Sequence, residues 1–154
     1  MREINRIIVH CTATPPDMDV DIDDVRRWHK ERGWSDVGYH ALITRDGTCQ
    51  PGRPLEAVGS HAKGHNQDSI GIALAGGVRR SKQAGVDVLI PDANFTIEQY
   101  DRLVEYIDDF QFERWKDDKE PVEVLGHRDL PGVTKACPSF DVRALVKNNL
   151  NWYS

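Results

Sequence analysis

The sequence predicts an α/β domain: a single central mixed β-sheet flanked by helices. Three observations point there. Short β-branched apolar runs alternate with stretches whose apolar residues recur every three or four positions. One Asp-Gly pair, Asp46-Gly47, sits between two strand-like runs and signals a hairpin, which puts an antiparallel pair into an otherwise parallel pattern. The chain has 154 residues, the length of one domain with a substantial core.

Each element follows from its own residues. Ile7 to Val9 reads as a short buried strand, stopped by Pro15 and Pro16. From Asp21 the pattern is helical, with Ile22, Val25, Trp28 and Arg32 on one face, Asp21, Asp23 and Asp24 at the positive end, and Gly33 as a C-terminal cap. Gly38 to Thr44 is the next strand; its partner after the Asp-Gly turn ends at Pro51 and Pro54. A polar loop, 60–68, leads to a buried strand over Ser69 to Ala75. Residues 76–94 read as a loop in which Val86 to Ile90 could form a short extra strand. Thr96 caps the clearest helix and Gln99 completes a capping box, with Ile97, Tyr100, Leu103, Val104, Ile107 and Phe110 on one side. Val122 to Leu125 is a last strand and Asp141 to Asn148 a closing helix.

Composition removes several function classes. Twenty Lys plus Arg stand against 25 Asp plus Glu, a net charge of −5, which lacks the electrostatic footprint of a nucleic-acid binder. The same balance disfavours docking on an anionic membrane. Three cysteines are an odd number and a poor start for a disulfide framework. The first residues carry charge and only three consecutive apolar side chains, against the roughly 7–15 of a signal peptide. No run approaches the ~20 apolar residues of a membrane helix, so cytoplasmic synthesis without membrane insertion is expected.

Chemistry is concentrated in a few side chains. His10 ends the first strand, His127 follows the last one, and Cys137 follows a Pro/Gly loop. Strand ends opened by loops are where sites form. Two histidines and a cysteine suit zinc with a fourth position left open, although no compact finger spacing exists. Lys135, two residues before Cys137, would share its face in an extended segment and could meet a developing oxyanion. Tyr39 brings a hydroxyl to the start of the second strand; taken alone, a strand tyrosine is as well read as core.

These residues fall in stretches that resemble the zinc-dependent N-acetylmuramoyl-L-alanine amidases of the phage-lysozyme type, which share their fold with peptidoglycan recognition proteins. The stretches are 9–14 (VHCTAT), 28–34 (WHKERGW), 36–40 (DVGYH), 45–48 (RDGT) and 58–64 (VGSHAKG). Asn66 with 69–71 (SIG), 92–96 (DANFT) and 135–141 (KACPSFD) complete the set, in family order. The resemblance implies one zinc ion held by His10, His127 and Cys137, with Tyr39 and Lys135 assisting catalysis. It implies that His61, and with it Lys63 and Asn66 of the same loop, contact a peptidoglycan or muropeptide substrate. The implied reaction is hydrolysis of the amide between N-acetylmuramic acid and L-alanine. Zinc would polarise the carbonyl and lower the pKa of a water toward about 7. Arg128 stands where some members have a second histidine, and the 77–93 loop looks longer than in short relatives.

With motifs running from 9 to 141, residues 1–154 are expected to form one catalytic domain without a separate wall-binding module, acting as a monomer. A phage or prophage endolysin, made in the cytoplasm and reaching the wall after a pore or lysis releases it, is the leading reading. A recycling amidase for muropeptides and a non-catalytic peptidoglycan-binding module are the alternatives; non-catalytic relatives commonly lack the cysteine. Some phage members also bind a polymerase, and no motif here predicts that. A metal-free Cys137–His127 hydrolase is a third possibility, with the thiol acidified just before a helix, but it leaves His10 without a task. Cys11 and Cys49 read as structural thiols, His29 as solvated or supporting, His40 as a satisfied interior ring and His65 as a loop residue. The acidic run from Asp17 to Asp24 lacks the glycine and final glutamate of a calcium loop.

Overall fold

The computed structural model describes residues 2–153; Met1 and Ser154, the ends of the expected 1–154 domain, lie outside them. The chain runs β1 (Arg6–Cys11), α1 (Ile22–Glu31), β2 (Ala41–Ile43), β3 (Cys49–Pro51), β4 (Ser69–Leu74), β5 (Val78–Gln83) and β6 (Val86–Pro91). It continues with α2 (Ile97–Lys116), β7 (Glu123–Gly126), a 3-10 turn over His127–Asp129, and α3 (Val142–Asn149). Five strands form the central sheet in the order β3-β2-β4-β1-β7. β1 runs parallel to β4 and β7, β2 runs parallel to β4, and only β3 is antiparallel, across the Asp-Gly turn. The mixed sheet expected from the sequence is therefore present.

Strand alternation sorts the two sides of the sheet. Ile7, Val9 and Cys11 of β1 face a large core with Leu103 and Ile107 of α2 and Val142 and Val146 of α3. Ile8 points the other way, against Ala62, Leu125 and Leu130, and His10 shares its side. On that second side α1 lays Ile22 and Val25 over Leu42 and Ala73. One histidine at the end of a central strand is thus aimed away from the main core.

The helix signals hold. Asp21 and Asp24 form a reciprocal capping box at the start of α1, and Thr96 and Gln99 form one at the start of α2. α1 ends on Arg32 and the left-handed residue after it is Gly33, at φ +91°. Gln99 does more than cap: its buried amide donates to Ile43 O at 3.1 Å and Ala75 O at 2.8 Å, pinning the ends of β2 and β4 to the helix. Gln99→Ala removes both donors and the cap acceptor, an expected loss of about 2 kcal/mol. A lower urea midpoint with an unchanged slope is the readout.

Two expectations change. The second strand begins at Ala41, so Tyr39 lies on the loop before it and not in the sheet. Residues 78–91 form a full antiparallel hairpin outside the main sheet, where a loop with one possible strand was expected. Its two-residue turn, Ala84-Gly85, has φ of +52° and +77°, the geometry that matches strand twist but is normally carried by Asn-Gly or Gly-Gly. An alanine there hides the hairpin from a sequence reading. No helix among the described residues is long and apolar enough to cross a membrane.

Candidate active site

Where β1 and β7 end, the chain opens a cleft of about 820 Å³. His10, 2% exposed, closes its floor at the end of β1. His127 enters from the 3-10 turn after β7, its ring 4.6 Å from that of His10 between centroids. Cys137 comes from the irregular segment before α3, its Sγ 3.9 Å from His10 Nδ1. Two backbone bonds hold that segment in place: Arg128 N donates to Cys137 O at 2.8 Å, and Cys11 N donates to Cys137 Sγ at 3.3 Å. The sheet thus brings together residues 10, 127 and 137, which are remote in sequence.

One donor atom from each of the three lies within 4.8 Å of the others. A tetrahedral ion with Zn–N of about 2.0–2.1 Å and Zn–S of about 2.3 Å needs donors about 3.3–3.8 Å apart, so small side-chain adjustments complete the geometry. The donor set fits chemically as well. Two neutral imidazoles and one thiolate leave a divalent ion with a net positive charge. Burial, then the neighbouring His61 and His127, hold His10 well below its usual range, and burial, with Lys135 adding to it, also lowers His127. Both are therefore unprotonated and able to ligate at neutral pH.

Without a cation Cys137 is not a ready nucleophile. Its thiol is pushed up by the adjacent Cys11 thiol and by burial, with only weaker pulls from the Cys11 backbone and Lys135 in the other direction. The acidification expected from a following helix does not arise, because α3 starts only at Val142, five residues on. Cys11 itself is 6% exposed and faces the main core, as its place after His10 implies.

Tyr39 and Lys135 both line the cleft. Tyr39 lies with its ring 5.2 Å from His10, and burial, then the cysteine thiols, raise its hydroxyl above the usual phenol range. It is an O–H donor at working pH. Lys135 is exposed on the opposite lip, on a bend and not on the extended strand that the sequence suggested. Its ammonium still influences both His127 and Cys137.

The loop residues fare differently. Lys63 is exposed on the rim. Asn66 also lines the cleft, but its Oδ1 accepts from His61 N and Ala62 N, both at 2.9 Å, so that oxygen shapes the loop. His61 turns inward, its Nδ1 2.9 Å from His10 Nε2. Arg32, Lys63 and Lys135 line the cleft together with no carboxylate, in a chain where acids outnumber bases. The local field at the opening is positive although the net charge is −5.

His29 was underrated by its sequence context. It is 7% exposed, and its Nδ1 accepts Gly38 N–H at 2.8 Å, which fixes the loop carrying Tyr39. Its ring packs on Trp34 and Tyr39. The available signal was its position on the buried side of α1, one residue past Trp28. Burial, with Arg32 and Arg53 adding to it, lowers His29 to about 4. As pH falls from about 6.5 the unfolded chain takes up this proton first, so the stabilisation present above 6.5 is lost toward pH 4, by up to ~3 kcal/mol. Denaturant titrations at pH 7 and 4.5 should show that loss. It should shrink in His29→Asn, whose carboxamide oxygen can still accept from Gly38 but does not titrate. His40, by contrast, is an interior ring as expected, accepting from Gly71 N and reaching Ala57 O at 2.8 Å.

Comparison with known proteins shows the family of the chain. Residues 1–140 match the family described as N-acetylmuramoyl-L-alanine amidase. An endolysin of Enterobacteria phage K11 is 41% identical over 146 residues, covering 95% of this chain and 87% of that protein. The endolysin of Escherichia phage T7 is 41% identical over 143 residues, covering 93% and 85%. Among solved structures, the amidase LysC from Clostridium intestinale superposes with a TM-score of 0.69 at 27% identity, over 96% of this chain and 85% of that one. Drosophila PGRP-LB superposes with a TM-score of 0.69 at 24% identity, over 100% and 85%, a likeness of fold alone.

Proposed function

The chain belongs to the N-acetylmuramoyl-L-alanine amidase family and is an enzyme of that kind, and from this premise we propose a zinc-dependent endolysin that detaches stem peptides from peptidoglycan. The observation that carries the metal reading is the meeting of His10, His127 and Cys137 at the floor of a cleft free of carboxylates. Asp and Glu would be the competing ligands for harder cations; a set of imidazoles and a thiolate favours zinc. Such an ion supplies Lewis acidity, both to polarise the amide carbonyl and to acidify water at neutral pH.

The protein's own groups supply the rest. Tyr39, protonated and held by the His29–Gly38 contact, orients the attacking water or the carbonyl oxygen by donating its hydroxyl proton. Lys135, exposed on the lip, brings positive charge to the oxyanion as it forms. Arg32 and Lys63 give the cleft affinity for a ligand bearing carboxylates, which a peptide stem provides. Peptidoglycan is the proposed substrate, the chain acts as a monomer, and it reaches the wall after release from the cell that makes it.

Incubation with intact sacculi and with soluble muropeptides tests this. New alanine amino termini without new reducing sugars are expected from sacculi; new reducing ends instead would mean a glycosidase, and no cleavage would leave a binding module. Preference for soluble fragments over sacculi would favour a recycling role over lysis.

A further inference from the structure

His61 lies behind the metal site, and its hydrogen bonds have only one consistent direction. Ser69 Oγ is 2.6 Å from His65 O, a carbonyl with no proton to give, so the single hydroxyl proton of Ser69 points there. The Ser69 oxygen must then accept at its other contact, from His61 Nε2 at 3.1 Å. With its proton on Nε2, the neutral His61 ring has a bare Nδ1, and that atom sits 2.9 Å from His10 Nε2. His10 is therefore the donor there, which leaves its Nδ1 lone pair free on the side of Cys137.

We propose that His61 is a positioning residue that, oriented by Ser69, locks His10 in the Nε2–H tautomer and aims its Nδ1 at the cation. The inference rests on the zinc reading above, but its tautomer content does not. Ser69 is fully buried at the start of β4, so the chain is anchored in the sheet and not in a mobile loop. Gly71, two residues along β4, is the floor under the ring: a Cβ there would overlap His61 Cγ. Asn66 Oδ1 fixes the backbone of His61 itself. The loop is thus built to present one nitrogen to His10, while His61 also lines the cleft. Outer partners of metal-bound histidines fix ring orientation and basicity in this way, and their removal typically costs about 10–100-fold in metal affinity.

The first test needs no substitution. Long-range 1H–15N correlation spectra of the 15N-histidine-labelled, metal-free protein at pH 7 should show both His10 and His61 as Nε2–H tautomers. His10 protonated on Nδ1, or mixed, overturns the proposal. The second test measures zinc dissociation by competition with a chromophoric chelator. His61→Ala should weaken zinc by about 10–100-fold, and Ser69→Ala by less, with mixed tautomers at His61. His61→Asn, whose carboxamide oxygen stands where Nδ1 did, should recover affinity to within a few-fold. Unchanged zinc affinity in both alanine variants overturns the proposal, as does an asparagine variant no better than alanine. Should His61→Ala fail to fold, Ser69→Ala and the spectra of the unsubstituted protein still decide. An unsubstituted protein that binds no zinc at all would instead overturn the metal reading, leaving the tautomer result to stand or fall alone.

Discussion

Cys137→Ala should abolish hydrolysis, by at least about 10³-fold, and yield a protein that no longer retains zinc. The thiolate is the only anionic ligand in the His10, His127, Cys137 set, so its loss leaves a divalent ion on two neutral imidazoles with nothing to offset its charge. Fold should survive: Cys137 is half-buried, and although the substitution removes the Cys11 N–Sγ contact, it keeps the bond from Arg128 N to the backbone oxygen of residue 137. Metal content by elemental analysis and thermal melts with and without added zinc separate the two effects. Zinc should raise the melting temperature of the unsubstituted protein and leave the variant unmoved, since only a ligand bound to the native state stabilises it. Dialysis of the unsubstituted protein against a chelator should give the same loss of activity, restored by one equivalent of zinc. Activity that survives chelation but is lost on thiol alkylation would overturn the metal mechanism in favour of a cysteine nucleophile. The raised thiol of Cys137 argues against that outcome, since a protonated thiol attacks poorly.

Lys135→Ala and Tyr39→Phe should each lower kcat about 10²–10³-fold while zinc stoichiometry stays at one. Tyr39→Phe removes one oxygen and keeps the ring that packs on His10 and His29, so metal site and loop stay formed. Lys135 is exposed and anchors nothing in the core. An effect confined to KM would mean that these groups bind substrate equally in ground and transition states. Metal loss in either variant would remove the assignment, because the deficit would then lie in the ion and not in the proton or oxyanion handling. The two variants also separate roles. Tyr39 is held protonated across the working range, so a pH–rate profile unaltered in shape in Tyr39→Phe supports an orienting hydroxyl over a titrating base.

The residues proposed to hold the metal and to assist it were picked out by the family resemblance, since their spacing is a weak signal and only some of them carry a local signature. His10 closes a β-branched run, His127 follows another, and Cys137 and Lys135 share a short Pro-bounded segment. The capping boxes of α1 and α2 were equally local, a matter of residues three apart. What escaped was set by contacts distant in sequence or by a residue used against its type. The 78–91 hairpin turns on an alanine at positive φ and its first strand carries Arg79, Arg80 and Lys82, so neither the turn nor that strand announces itself, whereas Val86 to Ile90 did. His29 read as either solvated or supporting, and only the fold shows it supporting, its ring reaching Gly38, nine residues away. The resemblance placed His61 in the groove, and it does line the cleft; only the fold shows Ser69 behind it and His10 in front of it.

By itself, then, the amino-acid sequence determined the α/β class and where the helices begin, because secondary structure and its capping signals are local properties. It also determined that a net charge of −5 lacks the electrostatic footprint of a nucleic-acid binder. Tertiary structure alone decided that residues 10, 127 and 137 converge, since β1 and β7 become neighbours only through sheet pairing. It alone decided that three cations and no carboxylate surround the opening, reversing locally the sign that composition gives globally. And it alone decided the direction of the hydrogen bonds from Ser69 to His10, because a proton's position depends on which acceptor lies within reach, and reach is a property of the folded chain.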